Sequence, residues 1–338
     1  EEKIKIALDC MGGDNAPKIV IEGAEIVASS KKDVHFLFYG DSSKINLLIK
    51  NYPKLKNRYT IIHTDQEISS DEKPSIALRR GTQSSMRLAI NAVKEGEADV
   101  AVSAGNTGAL MAIAKIVLRP LPSIERPAIV TSIPNQKNSG TVLLDMGANV
   151  ECDSDVLFQF AVMGHAFAKI ALKIKDPKIG ILNIGSEDLK GNDAVRSAAL
   201  LIKESDLKDN FYGYVEGNDI TKGTVDVVVT DGFTGNISLK VIEGTAKMVT
   251  ELLREAFSRS FISKIGYLLA KTAIKKSTQK MDPRLHNGAM LIGLNGVVVK
   301  SHGGTDSLGF SNAISVAISL VKDKINEQIS NELKGSES

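Results

Sequence analysis

Residues 98–108 read ADVAVSAGNTG, and residues 225–235 read VDVVVTDGFTG. Each stretch begins with an apolar run lacking polar alternation, which is typical of a strand covered on both faces of a parallel sheet. Each then turns through Gly-x-Thr-Gly into a helical pattern, where glycines allow a close approach and the helix start supplies free N–H groups for an anion. Because ligands of open α/β sheets bind beyond the carboxyl ends of the strands, two matching loops favour a binding site over a simple turn.

The same alternation of strand and helix patterns runs through most of the 338 residues. It predicts right-handed crossovers and a doubly wound, mostly parallel sheet in a three-layer α/β fold. The predicted strands cover residues 4–9, 34–40, 58–63, 98–103, 127–133, 141–147, 178–185, 225–231 and 296–301. The predicted helices cover residues 17–30, 82–95, 153–171, 192–204, 233–259 and 307–329. We expect one large domain over residues 1–330, with a protruding amphipathic helical segment at 251–285 and a frayed tail at 331–338.

Composition excludes several classes of protein. The 42 basic and 40 acidic residues nearly balance, and there is no Trp, so a nucleic-acid binder is disfavoured. No apolar run approaches the roughly 18 residues that span a bilayer. Cys10 and Cys152 cannot form a disulfide framework, and the histidines lack metal-ligand spacing, so no metal is expected. The start EEKIKIALD enters a strand pattern directly, so we expect no signal peptide and a cytoplasmic protein.

The loop after the first strand reads DCMGGDNAP from Asp9 onward. Asp9, Gly12, Gly13 and Asp14 lie where a substrate or a cation would meet the end of that strand. Asp14 or Asn15 would equally cap the next helix, and this local role is favoured. The loop is not a dinucleotide-binding G-x-G-x-x-G fingerprint, and the chain lacks a Walker A loop. NAD and ATP chemistry are therefore disfavoured, and no cofactor is expected.

Three further stretches carry polar groups suited to an anion. Residues 74–87, PSIALRRGTQSSMR, place hydroxyl and guanidinium groups at a helix start, although a solvated helix entry would look the same. Residues 183–193, NIGSEDLKGND, place Lys190 in a loop expected at the same sheet edge as the Gly-x-Thr-Gly loops. Its ammonium would reach an oxyanion there, although most surface lysines have no such role. Residues 301–306, SHGGTD, place His302 in a similar loop.

Residues 256–280, AFSRSFISKIGYLLAKTAIKKSTQK, form a basic segment without an acidic residue and with apolar residues at helical spacing. Such a helix suits an anionic membrane surface or an acidic partner protein. Packing against the core or a second subunit explains the pattern equally well, and the sequence leaves these alternatives open. The side chains expected to form a contact with a membrane or a partner protein are Arg259, Lys264, Leu268, Lys271, Lys275 and Lys276.

Several of these motifs, in this order along the chain, resemble the bacterial phosphate acyltransferase family of the PlsX type. The resemblance covers residues 4–318 and includes DCMGGDNAP, ADVAVSAGNTGALMA, IGILNIGSEDLKGN, VDVVVTDGFTGNISLK and LIGLNGVVVKSHGGTD. The chain departs from the family pattern at Cys10, where alanine is usual, and at HGGTD, where HGSSD is commoner.

The resemblance implies a fold related to isocitrate and isopropylmalate dehydrogenases and to phosphotransacetylases, in a homodimer at the membrane periphery. It implies transfer of an acyl group from an acyl carrier protein thioester to inorganic phosphate. The acyl phosphate would feed a glycerol-3-phosphate acyltransferase in phospholipid synthesis. Two other functions stay open on the residues alone: a phosphotransacetylase that uses a coenzyme A thioester, and a membrane-tethered module that binds carrier protein without catalysis.

The implied reaction needs positioning more than proton transfer. Phosphate is already an anionic nucleophile near neutral pH, and a thiol with a pKa of roughly 8–9 leaves without a strong acid. Lys and Asn side chains and backbone N–H groups suit stabilisation of the tetrahedral oxyanion. We therefore expect Lys190 and Asn236 to form the catalytic pair. The expected phosphate or substrate contacts are Asp9, Gly12, Gly13, Asp14, Asn106, Thr107, Gly108, Gly232, Thr234, Gly235 and His302.

Overall fold

The computed structural model describes residues 3–137, 139–279 and 282–336. Within these residues the chain forms eleven strands, joined in one sheet, and twelve α-helices. The strands are β1 (Ile4–Asp9), β2 (Val34–Gly40), β3 (Tyr59–His63), β4 (Val100–Ser103), β5 (Ala128–Ile133), β6 (Thr141–Leu144), β7 (Ile179–Leu182), β8 (Phe211–Val215), β9 (Val227–Val229), β10 (Ala289–Ile292) and β11 (Val297–Lys300). The helices are α1 (Lys18–Ser30), α2 (Ser42–Ile49), α3 (Pro74–Arg80), α4 (Ser85–Lys94), α5 (Thr107–Leu118), α6 (Ser154–Ala171), α7 (Asp193–Glu204), α8 (Gly217–Lys222), α9 (Gly232–Ser258), α10 (Phe261–Gln279), α11 (Ser307–Lys322) and α12 (Ile325–Ser336).

Nine of the described strands lie where the sequence predicts them. The two missed strands, β8 and β10, are short: β8 contains a glycine, and β10 is a four-residue apolar run, so neither has a clear strand pattern. The helix predicted over residues 307–329 is divided into α11 and α12 at Lys324, whose φ is 51°.

The expectation of a frayed tail is wrong for residues 331–336. These residues continue α12 along the surface of α6. Leu333 is buried, and Glu332 accepts hydrogen bonds from His165 Nδ1 at 2.9 Å and Lys169 Nζ at 2.8 Å. Packing and pairing with α6 hold this polar segment in place, and neither is visible in its local composition. Residues 337 and 338 lie outside the described part of the chain.

Strand direction reverses in the middle of the sheet. The strand order is β3-β2-β1-β4-β11-β10-β5-β6-β9-β7-β8. The five strands from β3 to β11 are parallel to one another, and so are the four from β6 to β8. The pairings β11–β10, β10–β5 and β5–β6 are antiparallel, so the two groups point in opposite directions. The mostly parallel sheet is confirmed. The loops after β4 and β9, however, lie at opposite edges of the sheet, where an edge means the row of strand ends on one side, and this is contrary to expectation.

Alternate residues of each central strand pack on opposite faces of the sheet. On β4, Val100 and Val102 belong to a large apolar cluster beneath α1, α6, α7, α11 and α12, whereas Ala101 belongs to a second cluster beneath α4 and α5. On the second face, Leu143 of β6 lies in a further cluster against which Leu239 of α9 packs. Helices therefore cover both faces, which explains why the strand sequences lack polar alternation and agrees with the predicted three layers.

Helix α9 packs against this core near its start, through residues such as Leu239, whereas its later part and α10 extend away from it. Only the first turn of α9 is buried, and the two helices contact each other, with the Phe257 and Tyr267 rings 5.5 Å apart between centroids. The large apolar side chains exposed on the pair include Phe233, Ile237, Val241, Met248, Leu252, Phe261, Ile262, Leu268 and Leu269. Within the described residues, no helix combines the length and apolar character needed to span a membrane.

Candidate active site

The sheet is left partly uncovered where its two groups of strands meet. Lys300, the last residue of β11, pairs with Ser103 of β4 on one side and Ala289 of β10 on the other. Lys300, Ala289 and Thr131 of β5 are half-buried, whereas β4, β6 and β9 are buried throughout. One face of the sheet carries the second cluster, beneath α4 and α5, and the further cluster that Leu239 contacts. On this face α5 covers the side of β4 and α9 covers the side of β6, and Met111 of α5 contacts both of these clusters. We call this gap the central cleft; Lys300, Ala289 and Thr131 form its floor.

Asp9, at the end of β1, holds three segments together beside the central cleft. One carboxylate oxygen accepts the Ser85 hydroxyl at 2.6 Å and the Met11 N–H at 3.2 Å, and the other accepts the Ser103 hydroxyl at 2.7 Å. Burial raises the pKa of Asp9, and these hydrogen bonds oppose that shift. A Cβ at Gly12 would lie 2.4 Å from Asp9 Oδ2, so glycine is needed there. These contacts make Asp9 an organiser of the loop.

Asp145, directly after β6, likewise holds neighbouring segments together in the second group of strands. Its Oδ1 accepts the N–H groups of Ile129, Gly147 and Ala148 at 2.9–3.2 Å, and its Oδ2 accepts that of Asn149 at 2.7 Å. Burial raises the pKa of this carboxyl group as well. Sequence reasoning missed this residue, although the signal was available: an aspartate directly after an apolar strand and shortly before a glycine, as in the first loop of the chain.

The glycines of the second Gly-x-Thr-Gly loop allow α9 to pack against the Asp145 loop. The N–H of Gly232 donates to Asn149 O at 2.7 Å, and a Cβ at Gly235 would lie 1.9 Å from Asp145 O. The N–H and the hydroxyl of Thr234 both donate to the carboxylate of Asp231, which caps α9. In this structure the three residues serve to anchor the helix start.

Asn106 of the first Gly-x-Thr-Gly loop caps α5 with its own side chain. Its Oδ1 accepts the Ala109 N–H at 2.9 Å, and its Nδ2 lies 2.9–3.4 Å from three carbonyl oxygens in residues 69–72. Both polar atoms are thus occupied within the protein, contrary to the expectation of a direct substrate contact. Thr107 and Gly108 are exposed in the first helical turn, where backbone N–H groups have no partner within the helix.

Lys190 and Asn236 follow the neighbouring parallel strands β7 and β9, and both side chains are exposed. The backbone of Lys190 is hydrogen-bonded within its own loop. Its N–H donates to Glu187 O at 3.0 Å, and its carbonyl oxygen accepts from Asn183 Nδ2 at 3.1 Å. Asn236 lies beside Gly147, where an added Cβ would be 3.6 Å from Asn236 Cβ. Within the described residues no hydrogen bond joins Lys190 to Asn236, and their action as a pair stays a prediction.

The loops that follow β1 and β11 contact each other at the opposite edge of the sheet. The N–H of Asp14 donates to Gly303 O at 3.0 Å, and Gly13 has a φ of 102°, a region that favours glycine. The expected capping of α1 by residue 14 or 15 is wrong, because the N-cap position falls at Pro17 and no side chain caps it. His302 is exposed, and its ring Nδ1 accepts the N–H two residues further on at 3.3 Å.

Lys300 is a candidate functional residue that sequence reasoning missed. Its Nζ lies 3.5 Å from Ala104 O and also donates to the carbonyl of the next residue. The carboxylates of Asp9 and Asp14 and the ammonium of Lys240 act on it electrostatically. Burial lowers the pKa of Lys300 to about 8. The available signal was a lysine that ends an apolar strand and directly precedes a glycine-rich loop.

A separate groove of about 330 Å³ lies on the face of β1, β2 and β3. It is lined by Lys5, His35, Leu37, Tyr39, Thr60, Ile62 and Glu97. None of the residues that the sequence predicts for the site borders this groove.

Comparison with known proteins identifies the family. A family model described as "Fatty acid synthesis protein" matches residues 4–328. The phosphate acyltransferase of Paramagnetospirillum magneticum is 52% identical over 329 residues, covering 97% of this chain and 93% of the relative. That of Rhodospirillum centenum is 53% identical over 332 residues, covering 98% and 93%. The chain belongs to the phosphate acyltransferase family.

Solved structures of lower identity show the fold of this family member. A phosphotransacetylase from Streptococcus pyogenes gives a TM-score of 0.64 at 18% identity, covering 95% of this chain and 94% of the other. The EutD phosphotransacetylase from Staphylococcus aureus gives 0.56 at 17% identity, with the same coverage. The predicted relation of the fold to phosphotransacetylases is confirmed.

In this phosphate acyltransferase family member, the predicted site residues fall into two groups at opposite sheet edges. The residues Asp9, Gly12, Gly13, Asp14, Asn106, Thr107, Gly108 and His302 follow β1, β4 and β11. The residues Lys190, Gly232, Thr234, Gly235 and Asn236 follow β7 and β9. Helix α9 brings the second group toward the first, because it crosses the sheet face and carries Lys240 into the surroundings of Lys300.

Two glycines of α9 give a matched test of how this helix is anchored. Gly235→Ala should destabilise the protein by more than about 2 kcal/mol, since the new methyl group meets a backbone oxygen that cannot move alone. Gly244→Ala, where nothing lies within 4 Å, should stabilise it by roughly 0.5–1 kcal/mol through helix propensity. Urea denaturation measures both, and equal effects would contradict the packing described here.

The pKa of Lys300 predicts a pH-dependent stability. Because this pKa is about 8 in the folded protein against a usual 10.5, the unfolded chain binds more protons between these values, and stability rises with pH there. Relative to Lys300→Met, the wild type should therefore gain about 2 kcal/mol in free energy of unfolding between pH 8 and pH 9.5. Urea denaturation across this range measures the gain; a constant difference would contradict the prediction.

Proposed function

We propose that this protein transfers an acyl group from the thioester of acyl carrier protein to inorganic phosphate, giving acyl phosphate and free carrier protein. The observation that carries the proposal is the identity of about half of all residues, over nearly the whole chain, with proteins named phosphate acyltransferase. The central cleft supports it, because α5 and α9 cover the two sides of the strand junction and leave the half-buried cation Lys300 on its floor. A carrier-binding module without catalysis does not agree with this family membership.

The reaction needs no activated side-chain nucleophile. An oxygen of hydrogen phosphate attacks the thioester carbonyl, the new C–O bond forms, and the carbonyl electron pair becomes an oxyanion. The oxyanion collapses, the C–S bond breaks, and the thiolate takes up the proton that the phosphate releases. The protein's part is to hold two anionic partners together and to stabilise the oxyanion with preorganised donors.

Lys190 and Asn236 are the donors we assign to the oxyanion and the phosphate. Both are exposed at the ends of adjacent parallel strands, and Asn236 lies on the second turn of a helix whose start is rigidly packed. The loop of Lys190 closes on itself, so its long side chain is the part free to reach substrate. From the first Gly-x-Thr-Gly loop we assign the backbone N–H groups of Thr107 and Gly108, since the Asn106 side chain is occupied.

Thiol release from a long-chain acyl carrier protein thioester tests the reaction. The wild type should release thiol only with inorganic phosphate, and hydroxylamine should trap the acyl phosphate. Lys190→Ala and Asn236→Ala should each lower kcat by about 100-fold or more, the usual cost of losing an oxyanion donor. Lys208→Ala, an exposed lysine before β8 at the opposite edge of the sheet, is the matched control and should keep normal turnover.

Near-normal turnover of Lys190→Ala would remove this residue from the mechanism. Release without phosphate would indicate a thioesterase instead. Competition between coenzyme A and carrier protein thioesters distinguishes the proposed reaction from that of a phosphotransacetylase, because only the former requires a protein-docking surface.

We further propose that the protein is a homodimer and binds the membrane surface peripherally. The exposed apolar side chains of α9 lie four or seven residues apart, as at Ile237, Val241, Met248 and Leu252, so they form a stripe that a second copy would cover. On α10, Lys264, Leu268 and Lys271 lie on one face, which suits an anionic lipid surface or the acidic carrier protein. A glycerol-3-phosphate acyltransferase would consume the product.

The remaining residues expected in this contact are Arg259, Lys275 and Lys276. Arg259 lies at the end of α9. The side chains of Lys275 and Lys276 lie outside the described part of the structure. Lys264 and Lys271 are therefore the residues on which a structure-based test is built.

Flotation with anionic vesicles tests the membrane proposal. Lys264→Glu/Lys271→Glu should weaken binding by more than about 30-fold, because each lost basic residue near an anionic leaflet removes about 1 kcal/mol and each new carboxylate is repelled. The matched control Lys31→Glu/Lys32→Glu changes the net charge equally in an exposed turn after α1 and should leave flotation unchanged. Equal weakening by both variants would indicate a nonspecific charge effect and would contradict a role for α10.

A further inference from the structure

The floor of the central cleft carries the ammonium group of Lys300. Among the residues that the structure describes, Lys300 forms no salt bridge, and its ammonium contacts only the carbonyl oxygens of Ala104 and Ser301. The carboxylates of Asp9 and Asp14 act on this ammonium electrostatically without a hydrogen bond to it. Asp9 already accepts hydrogen bonds from two hydroxyls and a backbone N–H, and Asp14 is exposed. An ammonium taken out of water is costly unless an anion compensates it.

A second cation approaches the same place from the opposite wall. Lys240 of α9 acts electrostatically on Lys300, although its own ammonium reaches Glu243 Oε2 at 2.8 Å. The two ammonium groups repel each other, and a multivalent anion that reaches both would reverse the sign of that interaction. An anion that bonds directly to Lys300 would give its ammonium the ion pair that the neighbouring carboxylates do not form.

The geometry of the floor fits a small anion better than a bulky ligand. Ala289 and Thr131, beside Lys300 in the row across the sheet, are half-buried and carry short side chains. The bond to Ala104 O holds the ammonium beside the loop that leads into α5. An anion bound to Lys300 would therefore lie at the seam of the sheet, beside the predicted site residues that follow β1, β4 and β11.

We propose that Lys300 binds the phosphate that attacks the thioester, and so forms the phosphate subsite of the cleft floor. This inference rests on the proposed function and deepens it. Lys300 is assigned to the nucleophile, which leaves Lys190 and Asn236 to the carbonyl oxygen of the acyl group. A second subsite for phosphate on the Lys190 loop is not needed in this arrangement.

The test compares Lys300→Met and Lys300→Gln with the wild type. Gln removes the charge but keeps N–H donors for the two carbonyl oxygens, so it preserves the local structure if Met does not. Both variants should raise the KM for inorganic phosphate by about 10- to 100-fold, the usual effect of losing a charge-assisted hydrogen bond. The KM for the acyl carrier protein thioester should change by less than about twofold, since no contact with the acyl group is lost.

A binding measurement separates this role from a structural one. Titration with inorganic phosphate at constant ionic strength should raise the melting temperature of the wild type, because a ligand that binds only the folded state stabilises it. The rise should be lost in both Lys300 variants. The control Lys169→Met removes a lysine that pairs with Glu332 beneath the other face of the sheet, and it should keep the full response to phosphate.

A phosphate KM and thermal response equal to those of the wild type, in either folded Lys300 variant, would overturn the assignment. An equal loss of response in Lys169→Met would also overturn it, since the effect would then be global. Failure of the proposed function gives a different result: the wild type itself would show no phosphate-dependent thiol release. The two failures are therefore distinguishable.

Discussion

The reversal of strand direction between β11 and β6 sets the position of everything around the site. A helix that follows a strand starts at the carboxyl end of that strand, and the strands of the two groups end at opposite edges of the sheet. Helices α5 and α9 therefore enter the same face from opposite ends and cover the two sides of the seam. The antiparallel strands β10 and β5 lie between them without full cover, which leaves Lys300, Ala289 and Thr131 half-buried.

Two buried aspartates, one in each group of strands, make this arrangement rigid. Asp9 and Asp145 both lie at the end of an apolar strand, and both have their oxygens bonded by N–H or hydroxyl groups of neighbouring loops. A buried carboxylate is tolerated only when it is hydrogen-bonded in this way, so each one requires the loops to adopt a single conformation. The close glycines Gly12 and Gly235 follow from the same packing, because a side chain at either position would overlap with these residues.

Helix α9 connects the interior of the protein with its surface. Its first turn packs against the Asp145 loop, its third turn carries Lys240 toward Lys300, and its outer part bears exposed apolar side chains such as Val241 and Leu252. Because α9 is one continuous helix of 27 residues, the wall of the cleft and this exposed surface belong to one body. Whatever covers the surface is therefore mechanically linked to the cleft, which gives the dimer and membrane proposals a structural connection to catalysis.

The sequence alone determined the class of fold, most of the strands and the family. Unbroken apolar runs followed by Gly-x-Thr-Gly at Gly105 and Gly232 are local patterns, and such patterns reflect burial on both faces of a sheet wherever it forms. The pairings β5–β6 and β10–β11 are hairpins whose connections are too short for a parallel crossover, so their antiparallel direction follows from the sequence spacing. Only the tertiary structure decided that strand direction reverses between the two groups, because this depends on the pairing of β10 with β5, from distant parts of the chain. That reversal separates the two predicted groups of site residues, assigns Asn106 to a helix cap and brings Lys300 to the floor of the cleft. The position of Lys300 at the end of an apolar strand is visible in sequence, but its surroundings are not. They include Ala104, which is 196 residues away in the chain, and Asp9, which is still more distant.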